Sequence, residues 1–302
     1  MVSLPPILTS YHHYLESVGK SANTVKAYVA DVHHFLKWWE QTTGDSFAPA
    51  AIDSGDIQDY RSFLLQRQRK PATVNRRLRA LQHFFKWAIR TEQAQLNPFD
   101  ILERVAVKQQ QQNAPRWLSK KEQGALRRAV AKAQNIRDQT VIQTLLGTGV
   151  RVSELTSLTL GDIELSDRKG GITVVGKGMK ARSIPLDKRT RQALATYLGE
   201  RLRQPVLRQA VFLGQRGPLT DRAIEKLVEK YAYQAELSAC TPHTLRHTFA
   251  KNLLDSEEKP GLEIVAALLG HESLETTRIY TLPSQQDLER AVRSAAGELD
   301  DL

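Results

Sequence analysis

The stretch Val107-Lys-Gln-Gln-Gln-Gln-Asn-Ala-Pro115 divides this 302-residue chain. Four consecutive glutamines followed by asparagine, alanine and proline show no helical or strand period and little apolar surface to bury, which reads as an interdomain linker. Two domains are also the default for this length, at roughly 150 residues each. The expected organisation is a first domain over 1–106, a linker over 107–115 and a second domain over 116–302. The sequence on either side of the linker is patterned differently.

Upstream, the chain reads as helical. Val25, Tyr28, Val32, Phe35 and Trp39 form an apolar stripe on one helix face, with Ser21 and Asn23 placed for an N-cap. A second helix is expected over Ile57–Gln68 and a third from near Thr73. On that third helix Val74, Leu78, Leu81, Phe85 and Ala88 make one stripe, while Arg76, Arg79, His83, Lys86 and Arg90 make another facing a different way. Asn97-Pro98 closes the unit.

Downstream, the pattern is mixed. Ser119-Lys-Lys-Glu122 is a capping box opening a helix, residues 137–146 continue a helical period, and Gly147 and Gly149 are expected to break it. Val152–Leu158 is helical again. Ile172–Val175 and Arg182–Leu186 read as strands joined by the tight turn Gly176-Lys-Gly178. Most of the remainder is helical, including a C-terminal helix over 284–298 with a small apolar stripe at Leu288, Ala291, Val292, Ala295 and Ala296.

Lys and Arg number 43 against 33 Asp and Glu, a net charge of +10, which suggests a polyanionic partner. The excess is uneven: residues 61–90 hold nine Lys or Arg and no acid. A hydrophobic content of 41% and a charged content of 25% exclude wholesale disorder and a collagen-like chain. The apolar run around Ile264–Leu269 is far shorter than the ~20 residues a bilayer span needs. MVSLPPILTS lacks the basic and apolar regions of a secretory signal. The single cysteine, Cys240, forbids an internal disulfide and fits a reducing cytosol.

Four downstream segments carry candidate chemistry: Thr148-Gly-Val-Arg-Val-Ser-Glu-Leu155, Val175-Gly-Lys-Gly-Met-Lys180, Thr241-Pro-His-Thr-Leu-Arg-His247, and Leu268-Leu-Gly-His271 with Tyr280 nine residues on. Each alone has an ordinary structural explanation. Arg151 is an exposed charge or a partner of Glu154 at i+3. Lys177 is a hairpin tip, and Tyr280 a core aromatic. His243 and Arg246 follow Thr241-Pro242, an N-cap with proline at the first helical position, and share a helix face near its positive end. Gly270 is placed to end the helix over Glu263–Leu269, with His271 just beyond.

Taken together and in this order, the segments resemble the tyrosine site-specific recombinase, or integrase, family. The resemblance covers nearly the whole chain: TGVRVSEL, GKG, HTLRHTFA and LLGH are similar to the family's signature text, and the TVKAYVADVHHFLKWW and ATVNRRLRALQHFFKWA helices are similar to its core-binding domain. The implied fold is mainly α with two domains, an all-helical SAM-like core-binding domain and an α+β catalytic domain with a small antiparallel sheet, forming a C-shaped clamp around duplex DNA. The implied reaction is strand cleavage and rejoining through a covalent 3′-phosphotyrosyl link and a Holliday junction, for resolution, integration or excision of DNA.

The resemblance implies a role for each matched position. Tyr280 attacks the phosphodiester. Arg151 and Arg246 hold the phosphate, a role suited to a planar guanidinium that stays charged. His243 and His271 donate to the phosphate, and His243 also relays the tyrosine proton. Lys177 protonates the leaving 5′-oxygen, with Lys180 and Arg182 as nearby alternatives or DNA contacts. Glu154 orients Arg151 or supports its helix. Arg76, Arg77, Arg79, His83 and Lys86 are expected to contact DNA, the alternative being a solvated basic face. No cofactor and no metal are expected. A zinc reading through His243, His247, Cys240 and His271 would leave Arg151, Lys177, Arg246 and Tyr280 unexplained, so His247 is expected to be a buried structural histidine and Cys240 an inert core residue.

About ten residues before the first helix leave no room for an arm-binding domain, and the segment from Lys177 to His243 carries no large insertion. Both point to the compact Xer-like type, and Lys259-Pro-Gly261 hints at a mobile-element enzyme. The expected partners are double-stranded DNA with paired inverted sites and a homo-tetramer on it, alone or with a related recombinase, linked by the C-terminal helix. The expected location is the cytoplasm, on a bacterial or archaeal nucleoid, with no membrane partner. Two rival classes share parts of the pattern: a type IB topoisomerase and a non-catalytic DNA-binding protein.

Overall fold

A computed structural model describes residues 4–100, 102, 115–176, 179–202, 209–271 and 273–283, together with 288, 292, 293 and 295. Contacts divide the chain into two compact units, Met1–Gln111 and Gln112–Leu302. All of the proposed linker except Pro115, most of the expected C-terminal helix, and Lys177 lie outside the described residues. Among the described residues, no helix is long and apolar enough to cross a membrane.

The first unit is helical: α1 (Pro6–Ser17), α2 (Ala22–Thr43), α3 (Ser54–Gln66) and α4 (Pro71–Arg90). Local signals set the ends. The Ser21 hydroxyl accepts the Thr24 N–H and caps α2, and Asp53 and Asp56 form a reciprocal capping box on α3. Pro71 begins α4 where its missing N–H costs nothing. The expected apolar stripe of α4 is buried in full, at Val74, Leu78, Leu81, Phe85 and Ala88. With Tyr11, Phe35, Trp38, Tyr60, Phe84 and Trp87 it makes an aromatic-rich core. Burying each large side chain contributes about 1.5–3 kcal/mol.

The second unit contains α5 (Lys120–Lys132), α6 (Ile136–Thr148), α7 (Val152–Ser157), β1 (Ile163–Leu165), β2 (Gly170–Val175), β3 (Ala181–Pro185), α8 (Lys188–Arg201), β4 (Leu213–Gly214), β5 (Gly217–Pro218), α9 (Asp221–Gln234), α10 (Pro242–Leu254), α11 (Leu262–Leu269) and α12 (Leu274–Arg278). The expected hairpin is present as β2–β3, antiparallel, with Ile172 opposite Ile184 and Val174 opposite Arg182. Short β1 adds a third strand on the other side of β2, and β4 pairs with β5; the sequence reading found neither.

One of the two expected helix-breaking glycines is corrected and the other is found. Gly147 does not end α6; it lies inside the helix, where a Cβ would meet the Thr190 hydroxyl at 2.1 Å. The helix ends at Gly149, whose φ of +62° suits glycine, and whose Cβ would meet the Phe249 ring at 2.3 Å.

Candidate active site

The described members of the signature set all lie in the second unit, and the C-terminal end of α11 organises them. A helix end leaves up to four carbonyls without intrahelical partners and carries the negative end of the helix dipole. Here three consecutive carbonyls are each taken by a different arginine. Leu268 accepts from Arg182 Nε (2.9 Å), Leu269 from Arg246 Nη2 (2.7 Å) and Gly270 from Arg151 Nη2 (3.3 Å). Gly270 ends the helix at φ +67°, and a Cβ there would sit 2.7 Å from Arg182 Nη1.

The same arginines are fixed from the other side. Arg151 is the N-cap of α7, and its backbone N–H and Nη1 both donate to the Glu154 carboxylate at 2.8 Å. Arg182 Nη1 and Nη2 donate to the same carboxylate at 2.9 and 2.8 Å. Burial would push the Glu154 carboxyl up, but hydrogen bonds from Arg182 and from the Arg151 backbone outweigh it and hold it at about 2. Arg246 has no carboxylate. Its Nη1 donates to the Gly149 carbonyl at 2.6 Å, and it is only 2% exposed. Burial, with the Arg151 charge adding, lowers it to about 10, so it remains a cation at neutral pH. Three guanidiniums against one carboxylate leave the site electropositive.

Tyr280 sits in a single 3-10 turn, Ile279–Thr281, with its ring buried at 1% exposure. Burial raises its pKa, while the Arg246 and Arg151 charges pull the other way. Its hydroxyl lies 3.0 Å from Nδ1 of His247. The His271 ring stacks on the Tyr280 ring, 6.2 Å between centroids at 11°, and its Nδ1 lies 2.9 Å from the Thr277 hydroxyl. The His243 ring packs edge-on against His247 at 4.6 Å. Burial first, and then neighbouring positive charge, lowers the pKa of all three histidines, to about 4 for His247 and His271.

Lys177, which follows β2 and precedes β3 in the sequence, lies outside the described residues. Lys180 is exposed. Arg182 stands opposite Val174 on the inward face of the hairpin, with its head on Glu154 and Leu268. Donor atoms of His243, His247, Cys240 and His271 do not converge on one point; among the described residues the convergent group is His12, His13 and Glu16, on the surface of α1. Burial pushes the Cys240 thiol up to about 11.

Comparison with known proteins follows the same outline. Residues 116–287 match the model of the phage integrase family, and residues 8–92 match the phage integrase N-terminal SAM-like domain. The chain belongs to the phage integrase family. It is 34% identical over 278 residues to tyrosine recombinase XerD of Listeria monocytogenes, covering 89% of this chain and 91% of that one. It is 32% identical over 284 residues to tyrosine recombinase XerC of Pediococcus pentosaceus, covering 90% and 91%. In fold it matches the XerH site-specific recombinase bound to a palindromic difH substrate in a post-cleavage complex. The TM-score is 0.72 at 24% identity, over 93% of this chain and 84% of that one. The protein is thus a tyrosine recombinase, an enzyme that cleaves and rejoins DNA.

In the recombinase's first unit, the basic stripe is partly committed to internal partners. Arg76 pairs with Asp31, which is 3% exposed, and Arg77 Nε lies 3.7 Å from the same carboxylate. Arg77 Nη1 also lies 2.9 Å from a ring nitrogen of His34. His83 Nδ1 lies 2.8 Å from the Tyr11 hydroxyl. Arg79 and Lys86 are exposed, and neither has an ion pair or hydrogen bond among the described residues. The absence of acid within 61–90 did not reveal Asp31, which α2 brings in from 45 residues away. Sequence reasoning also missed the place of His247 on the tyrosine hydroxyl. The only signal was its i, i+4 spacing from His243.

Proposed function

We propose that Tyr280 is the nucleophile of this recombinase, with a scissile phosphate bound by Arg151 and Arg246. The observation that carries the reading is the convergence of Arg151, Arg182 and Arg246 on the end of α11, one helical cap away from His271 and Tyr280. Fixed cations are worth most where negative charge grows on the non-bridging oxygens during phosphoryl transfer. Their bonds to carbonyls and to Glu154 set their positions in advance, so little reorganisation is needed when phosphate arrives. In this reading Tyr280 Oη bonds to phosphorus and the P–O5′ bond breaks. Lys177 protonates the departing 5′-oxygen, while His243 and His271 donate to the phosphate. The phosphotyrosyl link conserves the bond energy, so rejoining by a 5′-hydroxyl runs the same steps in reverse.

The wider reading is a site-specific recombinase acting on duplex DNA at paired inverted sites, as a tetramer whose C-terminal helices bridge subunits, in the cytoplasm. The XerH structure in complex with a palindromic substrate supports the first part, and the exposure of Leu288 (48%) and Val292 (69%) supports the second. Incubation with nicked duplexes that trap the cleaved strand should give a covalent protein–DNA adduct in the wild type and none in Tyr280→Phe. Retention of the adduct in Tyr280→Phe would overturn the assignment. A supercoiled two-site plasmid should yield recombinant circles; relaxation without exchange would favour a topoisomerase. A chelator should leave the rate unchanged.

A further inference from the structure

The geometry points to His247 as the group that receives the phenolic proton when Tyr280 attacks, an inference that rests on Tyr280 being the nucleophile. The sequence assigns that relay to His243, but the structure puts the other histidine of His243-x-x-x-His247 on the hydroxyl. His247 Nδ1 is 3.0 Å from Tyr280 Oη, within the reach a general base needs. The ring is held in place by two aromatic neighbours, His243 at 4.6 Å and Tyr280 itself at 5.3 Å. It sits one position after Arg246 on α10, so one of the two phosphate-binding arginines and the proton acceptor are carried by the same helix.

The charge environment suits this use. Facing His247 are His243 and Arg246 from α10 and His271 from the end of α11; together with burial they keep the imidazole neutral and able to accept. A bound phosphodiester brings negative charge between these cations, which strengthens the imidazole as a base at the moment it is needed. The step balances. The Oη–H proton passes to Nδ1 as the Oη–P bond forms, the P–O5′ bond breaks, and the 5′-oxygen takes a proton from Lys177. On rejoining, the imidazolium returns its proton to the tyrosine.

Single-turnover adduct formation on a nicked trapping duplex, followed from pH 6 to 9 with full-length protein, tests this. His247→Asn keeps an acceptor oxygen near the Nδ1 position but cannot take a proton. It should form adduct about 10²-fold more slowly or worse, with a rate that climbs tenfold per pH unit while the wild type stays nearly level. Imidazole added to His247→Gly should restore at least about tenfold, which a packing defect would not allow. A bridging sulfur in place of the 5′-oxygen should rescue Lys177→Ala but not His247→Asn. A His247→Asn rate within threefold of wild type, an unchanged pH profile, or rescue by the bridging sulfur would overturn the role. Tyr280→Phe run alongside separates the two claims: adduct surviving there overturns the nucleophile as well, whereas its loss beside an unimpaired His247→Asn overturns only the proton acceptor.

Discussion

Arg182 grips the Glu154 carboxylate with both terminal nitrogens, at 2.9 and 2.8 Å, and thereby ties strand β3 to helix α7. Because Arg151 uses the same carboxylate, Glu154 is the hinge on which two guanidiniums are set. Glu154 is 3% exposed, so removing it strands two cations beside each other in a poorly solvated place. Glu154→Ala should cost about 3 kcal/mol in urea unfolding and slow adduct formation, although neither reading places Glu154 on the phosphate. A loss below about 1 kcal/mol would show that the arginines are held by the α11 carbonyls alone.

The same carboxylate makes stability depend on pH in a defined window. Its folded pKa of about 2 lies below its ordinary value of 4.5, so its contribution is fully present above pH 4.5. It is lost as the pH falls through 4.5 towards 2, by about 3 kcal/mol in all. Urea midpoints measured between pH 5 and 2.5 should fall more steeply in the wild type than in Glu154→Gln. Parallel curves would contradict the ion-pair geometry.

Gly149 serves conformation and space at once. Its positive φ ends α6, its missing side chain admits the Phe249 ring, and its carbonyl accepts from Arg246. Gly149→Ala should lose at least about 2 kcal/mol from strain and overpacking. Because the carbonyl would shift, adduct formation should drop further than the residual folded fraction explains, as seen by comparing both quantities at one temperature.

Among the described residues, the basic stripe of α4 separates into unpaired and occupied charges. If the first unit holds DNA, Arg79→Ala and Lys86→Ala should each flatten the dependence of log affinity on log salt by about 1, while leaving thermal unfolding nearly unchanged. Arg77→Ala should do the reverse, lowering stability by removing a cation 3.7 Å from the buried Asp31 carboxylate and its contact with His34, while moving the salt slope less. Equal salt slopes for all three variants would mean that the Asp31 contacts open when DNA binds.

Much of this enzyme is legible in one dimension, because the signals are local. Helix periods, Ser21, Ser119 and Thr241 as caps, Gly270 as a stop and the β2–β3 turn each act over a few residues, and the order Arg151, Lys177, His243, Arg246, His271, Tyr280 is itself linear text. The sequence by itself determined the two-part plan, the helical first half, the hairpin and the family's chemistry. Only the tertiary structure decided which cations are already paired and which side chain meets the Tyr280 hydroxyl. Asp31 reaches Arg76 across 45 residues, Arg182 reaches Leu268 across 86, and His247 reaches Tyr280 across 33. Such pairings are set by how helices pack and by which face of a strand turns inward. A guanidinium reads the same in sequence whether it waits for a phosphate or already holds a carboxylate.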